Sequence, residues 1–262
     1  TKKAENRGHL DQMLALVEKK GQHPRVKAFY YYGIGKEQED LECWDSAFEA
    51  FSKGAAARRQ TIEYDEAAEI GMFEFLKHHF TSEWLDDGLP GHESSAPIFV
   101  LGQPRTGTTL VERIITSHSE VSSAGELQQF GLAIRRLSNF QDPKRFSTAF
   151  FRAALEVDSR KIGGLYIESS ARMAGNTPRF VDKLPQNYLH LPLILKALPN
   201  AKIIHLTRNP MDACFSSFKQ LFADAYLHSY DLGEMARHHC RYRDLMDTWR
   251  ERFPGRFLDI AY

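Results

Sequence analysis

The 262-residue sequence is poor in cysteine and has no long apolar run. Its three cysteines, Cys43, Cys214 and Cys240, are an odd number at wide spacing, with no CxxC pair and no Cys/His cluster at zinc spacing. A disulfide scaffold and a structural zinc site are therefore not expected. No stretch approaches the roughly 18 apolar residues of a membrane helix, and TKKAENRGHLDQ at the start lacks the apolar centre of a signal peptide. The chain also lacks net charge, with 34 Lys+Arg against 34 Asp+Glu, which argues against a nucleic-acid partner. These absences predict a reducing, cytoplasmic setting for a chain both of whose ends look cut. At 42% hydrophobic residues and about 150 residues per domain, one or two globular domains are expected.

The neutrality is uneven. Residues 1–95 hold 12 basic and 18 acidic side chains, whereas 96–262 hold 22 and 16, so the second part favours an anionic ligand. The acidic part, over about 1–88, reads as helical. Leu10, Met13, Leu14 and Val17 recur at helical spacing in a segment closed by Gly21. From Ala28 to Thr61, the large and small residues Tyr31, Ile34, Gly35, Ala47, Phe51 and Gly54 fit a two-helix repeat of about 34 residues. That pattern resembles one tetratricopeptide repeat (TPR), a unit too small to bury its own face and able to hold a protein partner. Another helix is predicted over 62–80, followed by the turn-rich linker LPGHESSAP.

Beyond Pro97 the pattern changes to strands alternating with helices, which predicts an α/β domain over 96–262 built on a P-loop-like parallel sheet flanked by helices. Strands are expected at 98–102, 165–169, 180–183, 202–207 and 257–262. Leu232, Met235, Ala236, His239, Tyr242, Met246 and Trp249 mark one long amphipathic helix, in which His239 reads as a core or boundary residue.

The most informative stretch is PIFVLGQPRTGTTLVERII, residues 97–115. A strand, a glycine loop and a helix over 107–118, with Leu110, Val111, Ile114 and Ile115 as its inner stripe, form a phosphate cradle: main-chain N–H groups and the helix dipole converge on one point. Thr108 stands where a nucleotide-hydrolysing P-loop has lysine, and the loop's cation is Arg105. A phosphate-like anion without ATP chemistry is therefore expected, with a P-loop kinase or NTPase as the rival class. In AKIIHLTRNPMDACFSSF a second strand ends at Arg208, Pro210 opens a helix, and Ser216 follows the arginine by eight residues.

GQPRTGTTLVERIITSH resembles the 5′-phosphosulfate loop of sulfotransferases that use 3′-phosphoadenosine 5′-phosphosulfate (PAPS) and release adenosine 3′,5′-bisphosphate (PAP). The likeness is to bacterial proteins that join tetratricopeptide repeats to a sulfotransferase domain. It implies that Arg105, Thr106, Gly107, Thr108 and Thr109 hold the 5′-phosphosulfate and that Arg208 and Ser216 hold the 3′-phosphate. In VSSAGELQQF the register of Glu126 resembles that of the catalytic base of tyrosylprotein sulfotransferases. His118, at the end of the loop helix, ranks below it. In RFVDKLPQNY, Lys183 resembles the lysine over the bridging oxygen, although it also neighbours Asp182 and could pair there. Tyr262 falls near the family's adenosine contact. The resemblance implies transfer to a hydroxyl acceptor, whether peptide, sugar, lipid or small phenol, with no metal required. It also implies a nucleotide pocket completed by helices beyond residue 262, and is compatible with a homodimer. A repeat-containing interaction protein with a vestigial transferase half is the second rival.

Overall fold

In the computed structural model, residues 3–262 are described except for 5, 18, 20 and 21, so the expected helix stop at Gly21 lies outside the described residues. The chain packs as two compact units: residues 1–66 with 210–240, and residues 67–209 with 241–262.

The first unit is helical. α1 (Gly8–Val17) buries Leu10 and Val17, and α2 (Pro24–Asp40) and α3 (Trp44–Arg59) form the expected hairpin. Gly35 and Gly54 sit where the two helices approach closely. A Cβ on Gly35 would stand 2.8 Å from the Phe51 ring, and one on Gly54 2.8 Å from the ring of Tyr32. The remainder of this unit is α11 (Pro210–Phe218), a 3₁₀ turn over Leu227–Tyr230 and the first part of α12 (Leu232–Arg252). The Tyr32 hydroxyl donates to the Phe218 carbonyl at 3.1 Å. The buried Arg58 guanidinium donates to the Thr61 hydroxyl and to the Ala223 carbonyl, and pairs with Asp224.

The second unit is built on a parallel sheet, five-stranded among the described residues, in the order β2-β3-β1-β4-β5. Its strands are β1 (Pro97–Gly102), β2 (Val121–Gly125), β3 (Arg179–Lys183), β4 (Lys202–Thr207) and β5 (Leu258–Ala261). β1 is buried at all six positions, as a central parallel strand must be. The two-residue period of a strand divides its apolar side chains between two cores. Phe99, Leu101, Phe180 and Ile203 join the main core with side chains of α4 (Glu66–His79), α5 (Ser82–Leu85), α7 (Gln129–Ser138), α8 (Thr148–Leu155), α9 (Ser159–Ala174), α10 (Leu191–Ala197) and the second part of α12. Ile98, Val100, Val181 and Leu206 face the other way, toward Val111 and Ile115 of α6 (Thr108–Ile115).

Two expectations are corrected. Residues 165–169 are helix, not strand: within α9 the buried positions Ile162, Tyr166, Ser170 and Ala174 recur every four residues, and that period prevails over the local β preference of LYIES. In α6 the sheet-facing set is Thr108, Val111, Glu112 and Ile115, while Leu110 and Ile114 are exposed. Glu112 is tolerated inside because the Ser123 hydroxyl of β2 donates to its carboxylate at 2.6 Å. The long helix takes the predicted place, with Met235, His239, Tyr242, Met246 and Trp249 buried, whereas Leu232 and Ala236 of the expected stripe are exposed. No helix among the described residues is long and apolar enough to cross a membrane.

Candidate active site

Because all five strands are parallel, their C-terminal ends lie along one edge of the sheet, the edge where open α/β sheets hold ligands. The β1–α6 loop, Glu126, Lys183, Arg208 and Tyr262 each belong to one of those strand ends or follow it directly. The chain leaves β1 for β2 on one side and later takes up β4 on the other, so β1 lies at the switch point where a crevice opens.

The loop between β1 and α6 is wound by three positive φ angles: 143° at Gly102, 69° at Arg105 and 93° at Gly107. Gly102 is required by space as well as by φ, since a Cβ there would stand 2.5 Å from the Leu206 carbonyl oxygen. The Thr106 hydroxyl is buried and donates back to the Gln103 carbonyl at 2.7 Å, a local bond that fixes the turn. Thr106 is thus a loop-shaping residue, and its hydroxyl is engaged with the main chain. Gly107 caps α6 from a left-handed conformation, Thr108 is buried, and Thr109 is exposed at the first turn. The N–H groups of a first helical turn have no partner within the helix, and here that turn begins at the sheet edge.

Arg208, beyond β4, reaches across to this loop: its Nη1 donates to the Arg105 carbonyl at 3.0 Å. The same guanidinium lies over the Tyr262 ring, 5.2 Å from its centroid. Tyr262 is held by its own N–H, which donates to the Thr207 carbonyl at 2.9 Å. Arg105, Gly107, Arg208 and Tyr262 therefore converge. Ser216 lies on α11, in the helical unit.

Glu126 follows β2 and Lys183 ends β3, and these neighbouring strands bring the Lys183 ammonium into hydrogen-bonded contact with the Glu126 carboxylate. Lys183 is 11% exposed against 53% for Glu126, so a buried cation is paired with a carboxylate still open to solvent. Asp182 does not pair with Lys183. Alternation sends it to the opposite face of β3, into the main core, where its carboxylate accepts from the Tyr166 hydroxyl at 3.0 Å and from the Leu127 N–H at 3.4 Å. The second of these bonds anchors the residue after Glu126. Burial pushes the Asp182 carboxyl up to about 7, against the pull of its hydrogen bonds, and raises Tyr166 as well. His118 is exposed at the far end of α6, where its Nδ1 accepts from the Glu120 N–H at 3.2 Å, away from the loop.

The Asp182 anchor and a second network were not singled out by sequence reasoning. In the second, His205 of β4 is fully buried, its Nδ1 2.6 Å from Asp259 of β5 and its Nε2 bonded to the Tyr242 hydroxyl. Arg250 grips Asp259 through two guanidinium nitrogens at 2.8 and 2.9 Å. Burial works to raise the Asp259 carboxyl, but Arg250 and His205 hold it well below the carboxylate range. Burial lowers His205. The network locks β5, and with it Tyr262, onto β4. Its members lie up to 54 residues apart, and the only sequence signal is a charged residue inside an apolar strand.

The fold and site define an α/β protein with a glycine-bent strand–loop–helix turn, crossed by an arginine, at the carboxyl edge of its parallel sheet. The profile of the Sulfotransferase family matches residues 97–262, and the chain belongs to that family. An uncharacterized protein of Aquifex aeolicus is 34% identical over 272 residues, a match covering 96% of this chain and 35% of that protein. Protein-tyrosine sulfotransferase A of Caenorhabditis elegans is 26% identical over 145 residues, covering 55% of this chain and 38% of that one. The chain thus spans little more than a third of the length of these curated relatives. Among solved structures, sulfotransferase STF9 of Mycobacterium avium aligns at 16% identity with a TM-score of 0.40, over 100% of this chain and 79% of that one.

Proposed function

We propose that residues 96–262 form the donor-binding and catalytic segment of a PAPS-dependent sulfotransferase acting on a hydroxyl acceptor. The supporting observation is the meeting of an anion cradle, a buried lysine paired with a carboxylate, and a second arginine at one sheet edge. The β1–α6 loop suits an anionic donor. Gly102 and Gly107 let the loop wind closely against the Leu206 main chain and the Tyr262 ring, the α6 N-terminus favours negative charge, and the edge carries three cations.

PAPS supplies a sulfuryl group: its sulfur–oxygen bond to phosphate breaks as the acceptor oxygen bonds to sulfur, and the electron pair leaves with PAP. The work of the chain is to orient, to move one proton and to hold charge. Glu126 takes the proton from the acceptor hydroxyl. Lys183 and Arg105 carry the negative charge that grows on the transferring group and the departing oxygen, an interaction stronger in the transition state than before it. The main chain of the loop, that of Thr106 included, holds the 5′ end with the Thr108 and Thr109 side chains, Arg208 and Ser216 hold the 3′-phosphate, and Tyr262 lines the adenosine side. No residue in this scheme requires a metal.

Segment 1–88 is proposed to be a tetratricopeptide-like piece that binds a protein partner, supported by the close approach of α2 and α3 at Gly35 and Gly54. The free thiols Cys43, Cys214 and Cys240 support a reducing, cytoplasmic setting.

Titration with PAP tests the donor assignment. PAP should raise the melting temperature in proportion to its saturation, worth about 2.7 kcal/mol at a hundredfold excess over Kd. Mg-ATP should give no shift. Stabilisation by Mg-ATP without stabilisation by PAP would replace this reading with a nucleotide kinase or NTPase.

A further inference from the structure

Tyr242 of α12 is buried where β1 and β4 end side by side, and it takes no part in the transfer chemistry above. Its ring packs on those of Tyr188 and His205, at 4.9 and 5.8 Å between centroids. Its hydroxyl stands 3.5 Å from the carbonyl of Leu206, the β4 partner of Gly102 at the start of the β1–α6 loop. There the hydroxyl meets both Nε2 of His205 and the main-chain N–H of Gln103, the next residue of the loop.

The proton positions follow from the far end. Asp259 is a carboxylate gripped by Arg250 and can only accept, so His205 Nδ1, 2.6 Å from it, carries the ring proton. Burial lowers the imidazole and keeps it neutral, which makes Nε2 the acceptor of the Tyr242 proton. With that proton given to His205, the Tyr242 oxygen accepts the Gln103 N–H. Each bond therefore points the same way, from the loop main chain through Tyr242 and His205 to a carboxylate, an arrangement in which each bond polarises the next.

Gln103 is wholly buried, and its main chain is held on both sides: the N–H by Tyr242, the carbonyl by the Thr106 hydroxyl at 2.7 Å. These two bonds set the direction in which the loop leaves β1. Asp259, at the other end, lies in β5, three residues before the tyrosine whose ring closes on Gly107.

We infer that Tyr242 is a positioning residue for the β1–α6 loop: its hydroxyl, engaged through His205 with Asp259, fixes the Gln103 main chain and ties the loop to the strand that carries Tyr262. That the loop holds the 5′ end of PAPS rests on the sulfotransferase reading; the relay itself does not.

Tyr242→Phe keeps the ring and removes the hydroxyl. Amide hydrogen exchange of the whole chain should quicken at Gln103, Arg105 and Thr106 by about fivefold relative to Phe99 and Val100 of the same strand, the contribution of one net hydrogen bond. Asp259→Ala, two side chains away along the relay, should quicken the same loop amides to a smaller extent, and it is the second variant should Tyr242→Phe fail to fold. PAP should bind Tyr242→Phe about fivefold more weakly in a calorimetric titration below the melting range. In labelled-sulfate transfer from PAPS into a cell extract, KM for PAPS should rise by the same factor with the maximal rate retained, because Glu126 and Lys183 stand at other strand ends. Loop exchange that is unchanged, that quickens no more than exchange at Phe99 and Val100, or that ignores Asp259→Ala overturns the proposal. So does a fall in maximal rate at unchanged KM. Native PAP binding with an unresponsive loop rejects the relay alone, whereas a responsive loop in a chain that does not bind PAP rejects the donor assignment alone.

Discussion

The ring of Tyr262 occupies the space a side chain on residue 107 would need: a Cβ on Gly107 would lie 2.6 Å from Cδ2 of Tyr262. Gly107 also has φ of 93°. Gly107→Ala is therefore expected to suffer twice, through backbone strain of about 1 kcal/mol and through displacement of the tyrosine. Urea unfolding should show a loss of about 1–3 kcal/mol, and the PAP-induced thermal shift should disappear. A variant with native stability and a full PAP shift would remove Gly107 from the cradle.

Glu126 and Lys183 should separate binding from chemistry. Glu126→Gln keeps the shape and a hydrogen-bonding oxygen but cannot accept the proton, so PAP binding should persist while transfer falls by about 10²- to 10⁴-fold. Lys183→Met should lower transfer as well and leave the Glu126 carboxylate exposed without its partner. Radiolabelled sulfate transfer from PAPS into a cell extract measures both, and full turnover by Glu126→Gln would reject it as the base.

Arg208→Ala should abolish most of the PAP shift, because it removes both a cation at the edge and the bond that steadies the Arg105 carbonyl. Its effect should shrink as salt rises, as expected for an anion contact open to solvent. A PAP shift of native size in this variant, measured by the same thermal titration, would place the 3′-phosphate elsewhere.

Asp182 and His190 pull the pH dependence of stability in opposite directions. The Asp182 carboxyl is raised from 3.8 to about 7, so the folded state binds the extra proton and stability falls as pH rises from about 4 to 7. His190 is lowered from 6.5 to about 3, so the unfolded state binds the extra proton and stability falls as pH drops from about 6.5 to 3. Asp182→Asn removes the first contribution and preserves its shape. Relative to the native chain, this variant should gain stability across pH 4 to 7, by up to about 4 kcal/mol. Urea midpoints measured at intervals of one pH unit report the difference, and a pH-independent difference would refute the linkage.

Asp259→Ala should strand the buried His205 Nδ1 and release Arg250, at a cost of about 1–3 kcal/mol for the unsatisfied imidazole. Loosened pairing of β5 should then weaken PAP binding through Tyr262, although Asp259 itself touches no ligand. Hydrogen exchange of residues 258–262 with and without PAP measures the coupling.

The strand ends were legible because their signals are local. A fully apolar run, two glycines and an arginine within a few residues announce β1 and its loop, and Arg208 and Lys183 each close a strand of the same kind. The segment 165–169 differs from its local pattern because β-branched and aromatic side chains favour a strand locally, whereas the four-residue burial period of α9 becomes apparent only over its full length. The inner face of α6 departs from its apolar pattern because the Glu112 carboxylate accepts a hydrogen bond from Ser123, a partner that sequence does not reveal. Asp182, His190 and the His205–Asp259 bond depend on alternation across β3, on an aromatic surround and on strand pairing. None of these leaves a motif.

The contact of Tyr262 with Gly107 also sets an order in time. β1 and its loop emerge from the ribosome about 150 residues before β5, and the cradle lacks one wall until that strand adds to the sheet beside β4. On the sulfotransferase reading, a donor held in this cradle during synthesis would stabilise only those molecules in which β5 has already docked beside β4.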